Sequence, residues 1–164
     1  MTAGLKLVNT NAPLRAPAEV QPVQLVNAQL VELFWPTIRP MLDRCVREAM
    51  HGEMLVDDIK ALTIAGQLVI MVFTDDLTGL GKVDLAVVVE PVGYPRLPGI
   101  NIVAMGGTNF GLIQKKYWTY FKGWAMMNGA KMIEASVSPA MARILRKYGY
   151  AAEYTHVRCR LMES

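Results

Sequence analysis

Two carboxylates stand where a strand could present them. Glu90 closes a run of aliphatic residues just before Pro91, and Glu134 lies within Lys131 to Val137. A glutamate held beside an acceptor can take its proton, so both are candidate general bases. Tyr148 offers a phenol, and His156 an imidazole that could act as a base on an exposed strand face. Without a partner visible in the sequence, Glu90 also reads as a solvated strand end, Tyr148 as a core residue and His156 as a surface imidazole. Gly106, Gly107 and Gly111, followed by Lys115 and Lys116, could form a loose anion site. Glycines let a phosphate approach the backbone, and helix-start amides would face it. The same glycines also read as a strand end followed by a helix start.

Other residues lead away from chemistry. Asp57 and Asp58 are adjacent, and neighbouring helix positions point apart. They fit the first turn of a helix, where the dipole favours acid. Gly79-Leu80-Gly81-Lys82 lacks the GxxxxGK[ST] spacing of a phosphate loop and leads into a strand. Two cysteines, Cys45 and Cys159, and two histidines, His51 and His156, are too few for a disulfide framework or a cysteine-based zinc site. No metal is expected.

The elements that must position these groups follow from periodicity. Pro13, Pro17 and Pro22 make residues 1–34 an irregular arm. Trp35-Pro36 opens a first helix, with Ile38, Met41, Leu42, Cys45, Val46 and Ala49 on one apolar stripe. Cys45 is therefore a core thiol. A second helix runs from Val56 to Ala65. Gln67 to Thr74 and Lys82 to Glu90 are strands joined by a short turn, which favours an antiparallel hairpin. Pro91, Gly93, Pro95 and Pro98 mark a loop, and Ile100 to Met105 is a third strand. A long helix spans Gly111 to Asn128, with Ile113, Tyr117, Tyr120, Phe121, Trp124 and Asn128 on one face. Lys131 to Val137 is a strand, and Ser138-Pro139 caps a helix reaching Tyr148, with Met141, Ile144, Leu145 and Tyr148 inward. Glu153 to Leu161 alternates as a half-exposed strand, with Thr155, Val157, Cys159 and Leu161 on one face. The result is an α/β (mixed α+β) domain with a mixed sheet and helices on both faces.

Composition bounds the rest. The chain has 164 residues, 52% hydrophobic and 19% charged, so one domain with a real core is expected. The longest apolar run, Leu68 to Phe73, is far below the roughly 20 residues of a membrane span. Met1 to Val8 does not read as a signal peptide. Residues 109–164 hold nine Lys/Arg against three Asp/Glu, and residues 1–108 hold eight against eleven. The basic part could face phosphates, a nucleotide cofactor or an acidic partner, or be a solvated face. No aromatic–basic stacking motif supports nucleic-acid binding, which stays a minor option.

The element order and the last third resemble the GNAT acyltransferase superfamily. The resemblance spans residues 35–164 and is carried by Ile100–Met105, Gly111–Asn128, Gly129, Lys131–Val137, Pro139–Tyr148, Gly149-Tyr150 and Tyr154–Leu161. Its best local match is Ala142 to Tyr150. The Trp35 start, the Met105-Gly106-Gly107 end and the short last strand look most like the GNAT-like proteins of tailed bacteriophages.

The resemblance implies two parallel strands that splay apart, with acyl-CoA pairing to the exposed strand edge at Val103 and Met105. It places the pyrophosphate at Gly106, Gly107, Gly111 and Lys115. The family loop [RQ]xxGx[GA] falls on Asn109 to Gln114, with Leu112 and Gln114 where glycines are expected. The family's tyrosine acid falls on Leu145. These departures imply a degenerate acetyl-CoA site. The reading they favour is a structural or interaction protein of a phage particle. Such a protein would contact other chains, virion proteins among them, through arm 1–34, and reside in the virion or host cytoplasm. Tyr117, Trp118 and Tyr120 are its candidate exposed aromatics. The alternative is an active acetyl-CoA-dependent N-acetyltransferase using Glu90 and Tyr148.

Overall fold

The computed structural model describes residues 20–50, 52–79, 81–107 and 110–161, without the side chains of residues 21 and 110–116. Expectations that fall on residues 1–19, on His51 or on the Lys115 and Lys116 side chains lie outside the described residues. The chain runs β1 (Gln21–Gln24), α1 (Ala28–Ala49), α2 (Val56–Ile64), β2 (Val69–Thr74), β3 (Val83–Tyr94), β4 (Leu97–Gly107), α3 (Phe110–Met127), β5 (Met132–Ala135) and α4 (Pro139–Leu145). A 3₁₀ turn at Arg146–Tyr148 extends α4. The sheet order is β1-β2-β3-β4-β5. Its first three pairings are antiparallel and the last, β4 with β5, is parallel. This is the expected mixed sheet.

The first helix begins earlier than its prolines suggest. Asn27 Oδ1 accepts the Leu30 amide at 2.9 Å and caps α1 at Ala28. Pro36 is therefore interior, as is Pro40. They lie four residues apart on one exposed face, so the carbonyls they leave without a helical donor can meet water. An interior proline costs about 3 kcal/mol. Burial of Val31, Phe34, Trp35, Ile38, Leu42 and Val46, each worth about 1.5–3 kcal/mol, outweighs both. The stretch read as an irregular arm thus ends in regular structure, with β1 paired to β2 and residues 28–34 helical.

Alternation divides the sheet into two faces. Ile70, Val72, Ala86, Val88 and Ala104 pack under α1 and α2. Met71, Phe73, Leu85, Val87 and Ile100 pack against Tyr117, Phe121 and Ala125 of α3. Gly106 sets the approach of α1. A Cβ there would lie 2.6 Å from the Met41 carbonyl oxygen, so only hydrogen lets the helix backbone come this close.

Three further expectations are corrected. Pro91, Gly93, Pro95 and Pro98 do not form one loop. β3 continues to Tyr94, which pairs with Leu97 across a Pro95-Arg96 turn, and proline suits the first turn position. On α3 the buried stripe is Tyr117, Phe121 and Ala125, at i, i+4 and i+8. Tyr117 is therefore core rather than an exposed contact residue, and Trp118 is half-buried between Phe121 and Tyr150. Finally, Glu153 to Leu161 forms no strand. Residues 151–161 are all exposed, with Val157 at 86% and Leu161 at 92%. Alternation says which side chains can share a face, but a strand exists only through a ladder, and no described strand pairs with this segment.

Candidate functional site

The parallel pair decides where a ligand could enter. β4 and β5 are in register from Gly99↔Met132 to Ile102↔Ala135, where β5 ends. β4 continues for five more residues, Val103–Gly107, alongside β3. The chain leaving β5 turns into α4, where Ser138 Oγ accepts the Met141 amide at 3.2 Å. The two strands are therefore zipped at one end and parted at the other. β5 offers β4 no partner beyond Ile102.

A bulge sits at the point of parting. On β3, Val88 faces Ala104 and Val89 faces Ile102, so Val103 is the extra residue. Val103 and Ala104 both pack toward α1, whereas Ile102 and Met105 pack toward α3. Such a bulge bends its strand and sharpens the local twist. The far end of the opened edge, Gly107, is exposed and leads toward α3, which begins at Phe110.

Beside this wedge lies a polar cluster on the α1 side of the sheet. Asn101 Nδ2 donates to Glu90 Oε1 at 2.9 Å. Asn101 is also in register with Glu134 on β5. The Tyr94 hydroxyl donates to Glu134 Oε1 at 3.2 Å, and that carboxylate holds the phenol proton on, raising the Tyr94 pKa. The two candidate bases, separated by 44 residues in sequence, thus flank one asparagine a residue short of the bulge. Glu90 has the partner that the sequence did not reveal.

The remaining site expectations separate. Val103, Met105 and Gly107 line the parted stretch of β4. Gly106 is buried, with the α1 backbone at Met41 occupying the space a Cβ would need. Gly111 lies in the first turn of α3. Tyr148 lies in the 3₁₀ turn, half-buried, and Leu145 is core at 6% exposure. Asp57 and Asp58 are structural. Asp57 pairs with Arg39, whose hydrogen bond lowers its pKa, and Asp58 accepts the Leu55 amide at 2.8 Å. His156 is exposed on the tail, Cys45 is half-buried against the α1 core, and Cys159 is exposed. Among the described residues no group of three His, Cys, Asp or Glu could hold a metal ion.

Tyr150 was not anticipated as a polar feature. Its ring packs on Trp118 at 4.9 Å, and its hydroxyl is buried with no hydrogen-bond partner among the described residues. Burial drives its pKa well above the usual phenol value. The signal available in the sequence was only its place after Gly149. A separate cavity of about 380 Å³ lies at the other end of α3, between Trp124, Asn128 and the β3–β4 hairpin around Gly93 and Gly99. It is on the α3 face, away from the parted strands.

No protein-family model matches this chain, and no curated protein matches it. Solved structures do. The aminoglycoside N-acetyltransferase AAC(6')-Iy in complex with CoA superposes with a TM-score of 0.61 at 12% identity, covering 90% of this chain and 98% of that one. A possible acetyltransferase from Clostridium difficile gives 0.61 at 12% identity, over 88% and 99%. A Trypanosoma brucei acetyltransferase gives 0.59 at 12% identity, over 87% and 100%. The fold is that of GNAT-type acetyltransferases. No helix among the described residues is long and apolar enough to cross a membrane.

Proposed function

We propose that this chain is an acetyl-CoA-dependent N-acetyltransferase. The observation that carries the reading is the parting of β4 from β5 after Ile102↔Ala135, with the Val103 bulge at its base. A strand edge without a neighbouring strand can pair with an extended, amide-bearing arm, and the pantetheine of CoA is such an arm. The parted stretch fits that group in length and position, since Gly107 lies at its far end, where α3 begins. Val103 and Met105 would hold the arm. Gly107, Gly111 and Lys115 would face the phosphates, helped by the positive end of the helix dipole. Bound acetyl-CoA would supply an acetyl group activated as a thioester.

The chain's own residues then have defined tasks. Glu90, oriented by Asn101, takes the proton that an acceptor amine must lose. Glu134, tied to Tyr94, supplies a second negative charge on the same face and favours a cationic acceptor. Tyr148 is the proposed source of a returning proton. A contact role in a phage particle draws no support from the structural neighbours, which are acetyltransferases. The test is a melting curve with millimolar acetyl-CoA, followed by acetylation assays on a panel of amines. Saturating ligand at 100 times its Kd stabilises by about 2.7 kcal/mol. A rise in melting temperature that is lost in Gly107→Trp supports the enzyme. No shift with acetyl-CoA overturns it.

A further inference from the structure

Among the described residues, Tyr150 alone carries a side-chain polar atom that is buried without a hydrogen-bond partner. The local fold puts it there. Gly149 takes φ 93, a left-handed conformation that reverses the chain after the 3₁₀ turn, and the Tyr150 amide donates to the Leu145 carbonyl at 3.3 Å. The ring thereby lies against Trp118 of α3, with centroids 4.9 Å apart. Phenylalanine would pack on Trp118 equally well, so packing does not account for the hydroxyl. A buried hydroxyl without a partner costs stability until something meets it. Burial holds its proton on, raising the pKa, so at neutral pH the group is a donor.

The flank of α3 that holds Tyr150 faces the parted strands. Tyr117 reaches Phe73 on β2 and Asp84 on β3, and Trp124 reaches Gln24 on β1. Trp118 lies about 100° round the helix from Tyr117, on the side of Phe121 and Ala125. The same cluster takes in Ile102 and Met105 of β4 and Ile133 of β5. The heights agree as well. Trp118 lies eight residues past the start of α3, about 12 Å along the axis. Val103 lies four residues before the end of β4, about 13 Å along the strand. The same spacing sets Asn128 level with Gly99, and both line one cavity.

We propose that the Tyr150 hydroxyl donates a hydrogen bond to the thioester carbonyl oxygen of bound acetyl-CoA at the base of the wedge. The inference rests on the acetyl-CoA reading. An arm whose phosphates lie by Gly107 brings its acyl end along the parted edge to Val103, the level of Tyr150. The hydroxyl is shut off from water in the free chain, so the ring shifts as the arm enters. Tyr150 as a whole is half-buried and residues 151–161 are all exposed, so little packing opposes that shift. The bond positions and polarises the carbonyl, a task separate from the returning proton proposed for Tyr148.

The test compares the wild-type chain with Tyr150→Phe. Without ligand the variant should melt at or above the wild-type temperature, because it sheds an unpaired hydroxyl and keeps the ring. In calorimetric titration it should bind acetyl-CoA about 3- to 10-fold more weakly, the usual worth of one neutral hydrogen bond. CoA, which lacks the thioester carbonyl, should bind both proteins alike. A merely structural role would lower the ligand-free melting temperature and move both ligands together. Equal acetyl-CoA affinity in the two proteins, an equal loss for CoA, or a variant that melts several degrees lower without ligand each overturns the inference and leaves the acetyl-CoA reading standing. A wild-type chain that binds neither ligand removes that reading, and the inference with it.

Discussion

Replacing Gly106 by alanine tests whether this glycine serves the helix packing rather than the ligand. The added Cβ would lie 2.6 Å from the Met41 carbonyl oxygen and 2.8 Å from its carbon. Both are backbone atoms, so no rotamer change relieves the clash. α1 cannot easily retreat, because Ile38 and Leu42 beneath it are fully buried. Overpacking of this kind costs about 1–3 kcal/mol. For a domain of this size each kcal/mol moves the midpoint by about 2–4 °C, so the expected drop is about 2–12 °C. Urea unfolding should show a lower midpoint at an unchanged slope. Gly107→Ala, one residue on and exposed, should leave the melting temperature near wild type and instead weaken the response to acetyl-CoA. A Gly106→Ala protein that melts within a degree of wild type would refute the packing argument.

Tyr117→Phe removes the buried phenol that donates to Asp84 and should cost about 1.5–3 kcal/mol, the usual worth of a hydrogen bond to a charged group, read by chemical denaturation. Burial foremost, then the Asp84 bond, raises the Tyr117 pKa, and burial alone raises that of Tyr150. Both groups are held neutral when folded, so their stabilising effect is complete below the ordinary phenol pKa and lost as pH climbs past it. Stability should therefore fall in strongly alkaline solution, and the fall should shrink in the variant Tyr117→Phe, Tyr150→Phe. At the acid end the sign reverses. The hydrogen bond from Arg39 lowers the Asp57 pKa, so that pair's contribution is present above the ordinary aspartate value and fades as pH drops through the lowered one. Asp57→Asn should flatten that part of the acid limb of a melting-temperature profile. Glu90→Gln should depress acetylation of an amine about 10²–10⁴-fold while leaving the acetyl-CoA melting shift intact.

The order and type of most elements were legible in the sequence because alternation and helical stripes report burial directly. Leu68 to Phe73 is a short continuous apolar run bounded by turn residues, which reads as a buried strand; the structure then sends Ile70 and Val72 to one layer and Met71 and Phe73 to the other. Proline misled where tertiary contacts override local cost. Pro36 looked like a helix start, yet buried residues on both sides carry α1 through it. Pro91 and Pro98 looked like a loop, yet they sit in the ladder of a hairpin. The tail misled in the opposite way: its alternation is real, but no described strand ladders with it, and periodicity carries no information about ladders. For the site, Glu90 and Glu134 could be singled out, but their meeting across Asn101 depends on the parallel register of β4 and β5, a long-range fact. The Val103 bulge had no sequence signal, because valine is an ordinary strand residue.

The parted edge of β4 carries the functional account, and amide chemical shifts across β4 during an acetyl-CoA titration test it most directly. The amides of Val103 to Gly107 should move or gain exchange protection, while Ile100 to Ile102, already laddered to β5, should stay close to their free positions. Saturating acetyl-CoA that leaves Val103 to Gly107 untouched, or that perturbs only residues elsewhere, would contradict the account.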